Sequence, residues 1–177
     1  MIRPEFKKTL LDQQGAALIL WSFFTLSIFL YLAIAQFVVG NRGAADGSSF
    51  YVTVRIVLWL LVLVDLGTLI WWKKQYLARE ALLDDSKKTK MLRVLEAHKN
   101  PHEERAASVV STYVTRKIVV FAIIEAIAVY GLVLALVGRY FSDQYLLSAL
   151  SVVLLVVDFP SKSSLEGLVN EVEAGRR

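Results

Sequence analysis

Asp65 and Glu125 are the residues of this chain whose placement could do chemistry. Each is a carboxylate inside a run otherwise suited to lipid, Asp65 in "LLVLVDLGTLIWW" and Glu125 in "AIIEAIAVYGLVLALVG". Asp65 lies eight residues before Lys73, and Glu125 lies eight residues after Lys117. On helices rising about 1.5 Å per residue, both then sit at a depth of roughly 12 Å from one boundary. Two acids level with each other on antiparallel helices can share a proton, bind a cation, or face a partner's basic group. Insertion of an aspartate at a helix centre costs about 2.5 to 3.5 kcal/mol, so each acid is expected to point inward. The alternative is structural, with each carboxyl hydrogen-bonded to Ser22, Thr25, Ser27 or Thr68 and fixing helix packing. No lysine or arginine lies deep in these runs, and Arg55, ten residues from Asp65, belongs near the opposite surface.

The rest of the chemical inventory is thin. There is no cysteine, which excludes disulfides, thiol catalysis and thiolate metal sites. His98 and His102 flank Asn100 and Pro101, which interrupt the helix needed to bring them to one face, so no metal site is expected. Glycine-rich phosphate loops and serine-nucleophile patterns are absent. Apart from Asp65, Glu125 and Asp158, no polar cluster converges in the apolar runs. We expect no enzymatic activity and no cofactor.

The elements that must position the two acids follow from apolar length. With 56% hydrophobic residues in 177, the chain carries apolar windows near 16–39, 52–72 and 118–137, and a shorter one near 145–157. About 20 residues of helix cross a hydrocarbon core of about 30 Å. Lys7, Lys8 and "AIA" at 33–35 resemble a secretory signal, but the apolar run continues through Phe37, Val38 and Val39, so an uncleaved first helix is expected. Four spans in two hairpins keep the charged segments on one side. Arg3, Lys7 and Lys8 precede the first run, eleven lysines and arginines lie between the second and third, and Lys162, Arg176 and Arg177 follow the fourth. The two short connections opposite hold Arg42 and Arg139. The positive-inside rule places both termini and the middle segment in the cytoplasm, the chain being multi-pass in the cell membrane. The net charge of +4 is thus a topology signal, with anionic lipid second and no nucleic-acid partner expected.

This gives a cytoplasmic N-terminus (1–15), a first transmembrane hairpin (16–72), a cytoplasmic helical segment (73–117), a second hairpin (118–159) and a C-terminal amphipathic helix (160–177). "VVGNR" and "LVGRY" end corresponding spans, and "LLVLVDLG" echoes "LLVVDFP", aligning Asp65 with Asp158 as in an internal repeat. The middle segment is expected to form two helical arms, the first ended by "NP" at 100–101. Its basic patch, Lys87, Lys88, Lys90 and Arg93, is a candidate docking surface for a protein partner. In the tail, Asp158 or Ser161 can cap, and Ser163 with Glu166 has capping-box spacing. Leu165, Leu168, Val169 and Val172 form an apolar face expected to lie at the cytoplasmic interface or on a partner.

"EAIAVYGLVLALV", Glu125–Val137, resembles the carboxylate helix of rotary ATPase c subunits, the proteolipids of F-type and V-type enzymes. In that family a membrane carboxylate precedes a small-residue helix, often with an aromatic-glycine pair like Tyr130 and Gly131, and takes up the translocated proton or sodium ion. The resemblance implies that Glu125 carries the ion, with Ala128, Gly131 and Ala135 giving close helix packing.

The sequence therefore reads as an all-α polytopic membrane protein, four transmembrane helices in two hairpins with helical cytoplasmic extensions. Two functions stay open. One is a noncatalytic subunit or scaffold of a larger assembly, its partners being the lipid bilayer and other membrane subunits or further copies of itself. The other is proton or sodium binding and translocation through Glu125 and Asp65.

Overall fold

Long runs of Leu, Val, Ile, Ala and Phe must satisfy every backbone N–H and C=O internally if they are to lie in lipid, and a helix does this within one segment. The computed structural model describes residues 4–39, 49–78, 81–82 and 101–174. Helix α1 is Pro4–Val39, α2 is Ser49–Trp72, α3 is Pro101–Gly138, α4 is Phe141–Val157 and α5 is Lys162–Ala174. A five-residue π-helical turn, Lys73–Leu77, continues α2. Three stretches, Gly15–Val38, Phe50–Leu77 and Arg105–Gly138, are long and apolar enough to cross a membrane, and a fourth crossing is reached if α4 and α5 count as one broken span. Alone, α4 has 17 residues, or about 26 Å of rise.

Two helices are longer than their apolar windows. The 36 residues of α1 and the 38 of α3 give lengths of about 54 and 57 Å, well beyond a hydrocarbon core of about 30 Å. Pro101 marks a helix start. It opens α3, where a missing N–H costs nothing because the first-turn donors have no helical acceptor, and the helix then runs unbroken to Gly138. The expected first arm lies outside the described residues.

The chain divides into two compact units. One comprises Met1–Leu20, Trp72–Val119 and Pro160–Arg177, and the other Trp21–Trp71 and Val120–Phe159.

In the first unit, Leu82 from the segment after α2, Ala106, Ala107, Val110 and Tyr113 from α3, and Leu165, Leu168 and Val169 from α5 form one buried cluster, with Leu77 and Val114 packed against it. This corrects the expectation for the tail. Leu165, Leu168 and Val169 of that face lie on the chain's own α3 and are not left for a lipid surface or a partner, while the side chain of Val172 lies outside the described residues. Ser161, not Asp158, begins α5, its hydroxyl accepting the Ser164 N–H at 3.4 Å. Asp158 instead ends α4, donating its N–H to Leu154 O at 3.0 Å. Arg116 of α3 holds the chain after α2 in place. Its Nη1 donates to the carbonyls of Tyr76 at 2.6 Å and Ala81 at 3.2 Å, and its guanidinium lies 5.7 Å from the Tyr76 ring centre. It thereby satisfies carbonyls that the helix leaves without partners as it unwinds.

In the second unit, α3 and α4 form an antiparallel pair with a constant register. Ser151 donates to the Ile124 carbonyl at 3.1 Å, and seven residues further along α3, seven earlier along α4, Gly131 faces Gln144. The turn between them places Arg139 in the left-handed region, at φ 56°. Arg139 and Tyr140 donate backbone N–H groups to Ala135 at 3.1 Å and Leu134 at 3.2 Å, tying off the end of α3. The Tyr140 ring folds over Gly138 so closely that a Cβ there would overlap it.

Helix α1 also runs antiparallel to α4. Trp21 Nε1 donates to the Leu155 carbonyl at 2.8 Å, and ten residues up α1 the Gln144 amide donates to the Tyr31 carbonyl at 3.1 Å. Helix α2 joins through Val62, which packs with Ile127, Leu134 and Leu147, flanked by Leu58, Trp59 and Leu66. The α3–α4 pair is therefore the centre on which α1 and α2 dock. Burial follows this order, since 11% of the apolar window of each of α1 and α2 is buried against 44% of that of α3. The remaining faces expose large apolar side chains such as Phe23, Leu30 and Phe37 on α1 and Ile56, Leu60 and Val64 on α2. In water such surface would be a liability, and in a bilayer it is the lipid-facing side.

Candidate functional site

Glu125 sits mid-way along α3, half-buried, and accepts a hydrogen bond from the Tyr31 hydroxyl of α1 at 2.7 Å. Asp65 sits on α2, also half-buried, and accepts from the Tyr130 hydroxyl of α3. Each carboxylate thus has a phenol from a neighbouring helix as its partner. The structure shows no hydrogen bond between the two acids, and two of the candidate small hydroxyls bond to backbone carbonyls of their own helix. Thr25 donates to the carbonyl of Trp21 at 2.9 Å and Ser27 to that of Phe24 at 2.8 Å. A serine or threonine in an apolar helix finds its nearest acceptor on its own preceding turn, whereas a tyrosine reaches across a helix gap.

Tyr31 gathers further groups. Its carbonyl takes the Gln144 amide, and Gln144 is 1% exposed. One turn along α4 is Ser148, 2% exposed, with a hydroxyl that has no hydrogen-bond partner. A further turn brings Ser151, bonded to Ile124 of α3. Gln144, Ser148 and Ser151 share one face of α4, so this buried polar stripe runs along the seam where α1 meets α3. On the Asp65 side, Oδ2 is buried and has no hydrogen-bond partner.

A third carboxylate holds a bidentate ion pair. Asp143, in the first turn of α4 and 6% exposed, receives Arg55 Nε at 2.6 Å on Oδ2 and Arg55 Nη2 at 2.9 Å on Oδ1. The same guanidinium lies 4.9 Å from the centre of the Tyr140 ring. The Arg55 side chain keeps 47% of its exposure. The planar fork matches both oxygens of the carboxylate, and Tyr140 supplies the stacking face. Asp143 also favours the positive N-terminal end of α4.

The small residues assigned to helix packing are all interior. Ala128 and Ala135 are 0% exposed, and a Cβ on Gly131 would lie 3.2 Å from Gln144 Cα and 3.2 Å from Leu147 Cβ. That face of α3 is occupied within the chain. Lys87, Lys88, Lys90, Arg93 and His98, and the side chain of His102, lie outside the described residues. Among the described residues, no group of three or more His, Cys, Asp or Glu comes together in a form that would hold a metal ion.

Sequence reasoning missed Tyr31, Gln144, the Arg55–Asp143 pair and the bond of Tyr130 to Asp65. Tyr31 in "FLYLAIA" and Tyr130 in "AVYGL" stand well inside apolar runs, unlike tyrosines at interfacial belts, and that depth was the available signal. Arg55 and Asp143 carry opposite charges near ends of α2 and α4 that the charge pattern assigns to one side. Trp21 bonds to Leu155 and stacks edge-on with Phe159 at 5.1 Å.

Chemically, the polar groups described above act as links between helices, while the Ser148 hydroxyl, Asp65 Oδ2, Trp72 Nε1 and Arg139 Nη1 are buried without a hydrogen-bond partner. No family model, curated protein or solved structure matches the chain.

Proposed function

We propose that this chain is a noncatalytic multi-pass subunit or scaffold of a larger membrane assembly. In this reading it crosses the cell membrane four times in two hairpins, with both termini and the middle segment in the cytoplasm. The observation that carries it is the distribution of polar side chains that join helices. Tyr31 links α1 to α3, Tyr130 links α3 to α2, Arg55 links α2 to α4, and Gln144 links α4 to α1. Polar groups spent on helix ties specify an arrangement of helices, while a catalytic site needs them to converge on a reacting atom. The topology is supported by the Arg55–Asp143 pair, which joins the starts of α2 and α4 at the side assigned as outer.

A second reading is favoured by the Tyr31–Glu125 contact together with the unpartnered Oδ2 of Asp65. Here Glu125 and Asp65 bind and pass a proton or sodium ion, as the resemblance to c subunits implies. The two readings separate in proteoliposomes. A subunit is expected to give no proton or sodium flux above empty vesicles, and Glu125→Gln is expected to leave assembly intact because its amide oxygen still accepts from Tyr31. Flux in the wild type that Glu125→Gln abolishes, with assembly unchanged, would replace the first reading with the second.

A further inference from the structure

Arg139, the residue after α3, stands where the backbone asks for glycine. At φ 56° it holds the left-handed position that helix ends commonly fill with glycine, and among the described residues no other non-glycine residue has a positive φ. The turn is closed by backbone groups, the Arg139 N–H on Ala135 and the Tyr140 N–H on Leu134, and needs no arginine side chain. A bulky residue in this region is an outlier, and such outliers gather at binding sites.

The side chain adds a second, independent observation. Nη1 of Arg139 is buried and has no hydrogen-bond partner. A guanidinium donor kept from water and from any acceptor of its own chain calls for an acceptor from elsewhere. The described carboxylate at this end is already engaged, since both oxygens of Asp143 receive Arg55, and the Gln36 amide oxygen receives Tyr145. Charge is therefore left over. Around the end of α3 and the starts of α2 and α4 the described charged residues are Arg55, Arg139 and Asp143, and the N-terminus of α4 adds to the positive side.

Height along the helix identifies the anion. The apolar stretch of α3 ends at Gly138, so Arg139 stands at a membrane boundary, where lipid phosphates lie. Leu136 and Val137 just before it are exposed as a lipid-facing wall, and Arg139 itself is half-buried, not sealed from that boundary.

We propose that Arg139 binds the phosphodiester of a phospholipid headgroup, whose chains lie along Leu136 and Val137. The phosphate supplies the acceptor that Nη1 lacks and offsets the surplus charge, and a guanidinium fork matches two phosphate oxygens. The site rests on the reading that α3 crosses a membrane. It holds whether the chain is an assembly subunit or an ion carrier.

The test uses the full chain in a neutral detergent, titrated with phosphatidylglycerol, with native mass spectrometry counting the lipids retained. Arg139→Gly is the decisive variant because glycine fits the turn. It is expected to retain about one lipid fewer than the wild type, occupancy falling about tenfold with loss of the charge-assisted contact, and to unfold no earlier on heating without lipid. Arg139→Lys keeps the charge without the fork and is expected to fall between the two. Excess inorganic phosphate is expected to leave the lipid in place, and displacement would overturn the lipid assignment in favour of a free anion. Equal retention by Arg139→Gly and the wild type would overturn the proposal. So would earlier unfolding of the glycine variant, which would make the arginine a structural part of the turn. Failure of the wild type to enter lipid vesicles would overturn the membrane reading, and the site with it.

Discussion

Gly131→Leu is expected to separate α3 from α4 and to lower stability by about 3 kcal/mol, near the upper end for overpacking. A bare Cβ at this position already lies 3.2 Å from Gln144 Cα, 3.2 Å from Leu147 Cβ and 3.4 Å from the Gln144 carbonyl. The first and third of these are backbone atoms and cannot swing aside. A leucine must therefore push the helices apart, and the links nearest the contact go with it. Gln144 leaves the Tyr31 carbonyl and Ser151 leaves Ile124, bonds worth about 0.6 kcal/mol each on the average for interhelical bonds in membrane proteins. Gly131→Ala is a different case. It gains about 1 kcal/mol of helix propensity, which roughly offsets a contact a few tenths of an ångström too close. Reversible unfolding in bicelles should rank wild type and Gly131→Ala together, with Gly131→Leu well below. Native stability for the leucine variant would mean that α3 and α4 do not meet at this register.

Arg55→Ala is expected to be more damaging than Asp143→Asn, although the two remove the same interaction. The first leaves a buried anion without its counter-charge, whereas the second leaves an arginine that water can reach. Breaking a buried ion pair from one side costs about 3 to 5 kcal/mol, and with the Arg55 side chain 47% exposed the figure falls to about 2 kcal/mol. Asp143→Asn keeps an acceptor for the guanidinium and is expected to cost about 1 kcal/mol or less. The same unfolding measurement checks the order. A larger loss for Asp143→Asn would show that the aspartate has a role beyond holding Arg55.

The fold was largely legible because apolar length and helical backbone satisfaction are local properties. The windows that mark α1, α2 and α3 could be read directly from runs without proline. What could not be read was where the helices overrun those windows: α3 begins at Pro101, where proline suits a first turn, and α5 packs on its early residues Ala106, Ala107 and Val110. The internal echo of Asp65 and Asp158 also parts in three dimensions. Pro160 follows Asp158 closely and the helix stops at Val157, while Asp65 has Leu66, Gly67 and Thr68 beyond it and α2 continues to Trp72. The carboxylates were found from their cost in lipid. Their partners were not, because which tyrosine reaches which acid depends on register between helices far apart in sequence, 94 residues for Tyr31 and Glu125. Gly131 was legible as a packing residue, but not that it faces Gln144 of its own chain.

The mass and composition of the complex released gently from its native membrane separate the two functions. An assembly subunit predicts that this chain elutes with unrelated membrane chains at a fixed stoichiometry, and that the complex survives Glu125→Gln. A ring or other oligomer built from this chain alone would contradict the subunit account and make Glu125 and Asp65 an ion site repeated around it.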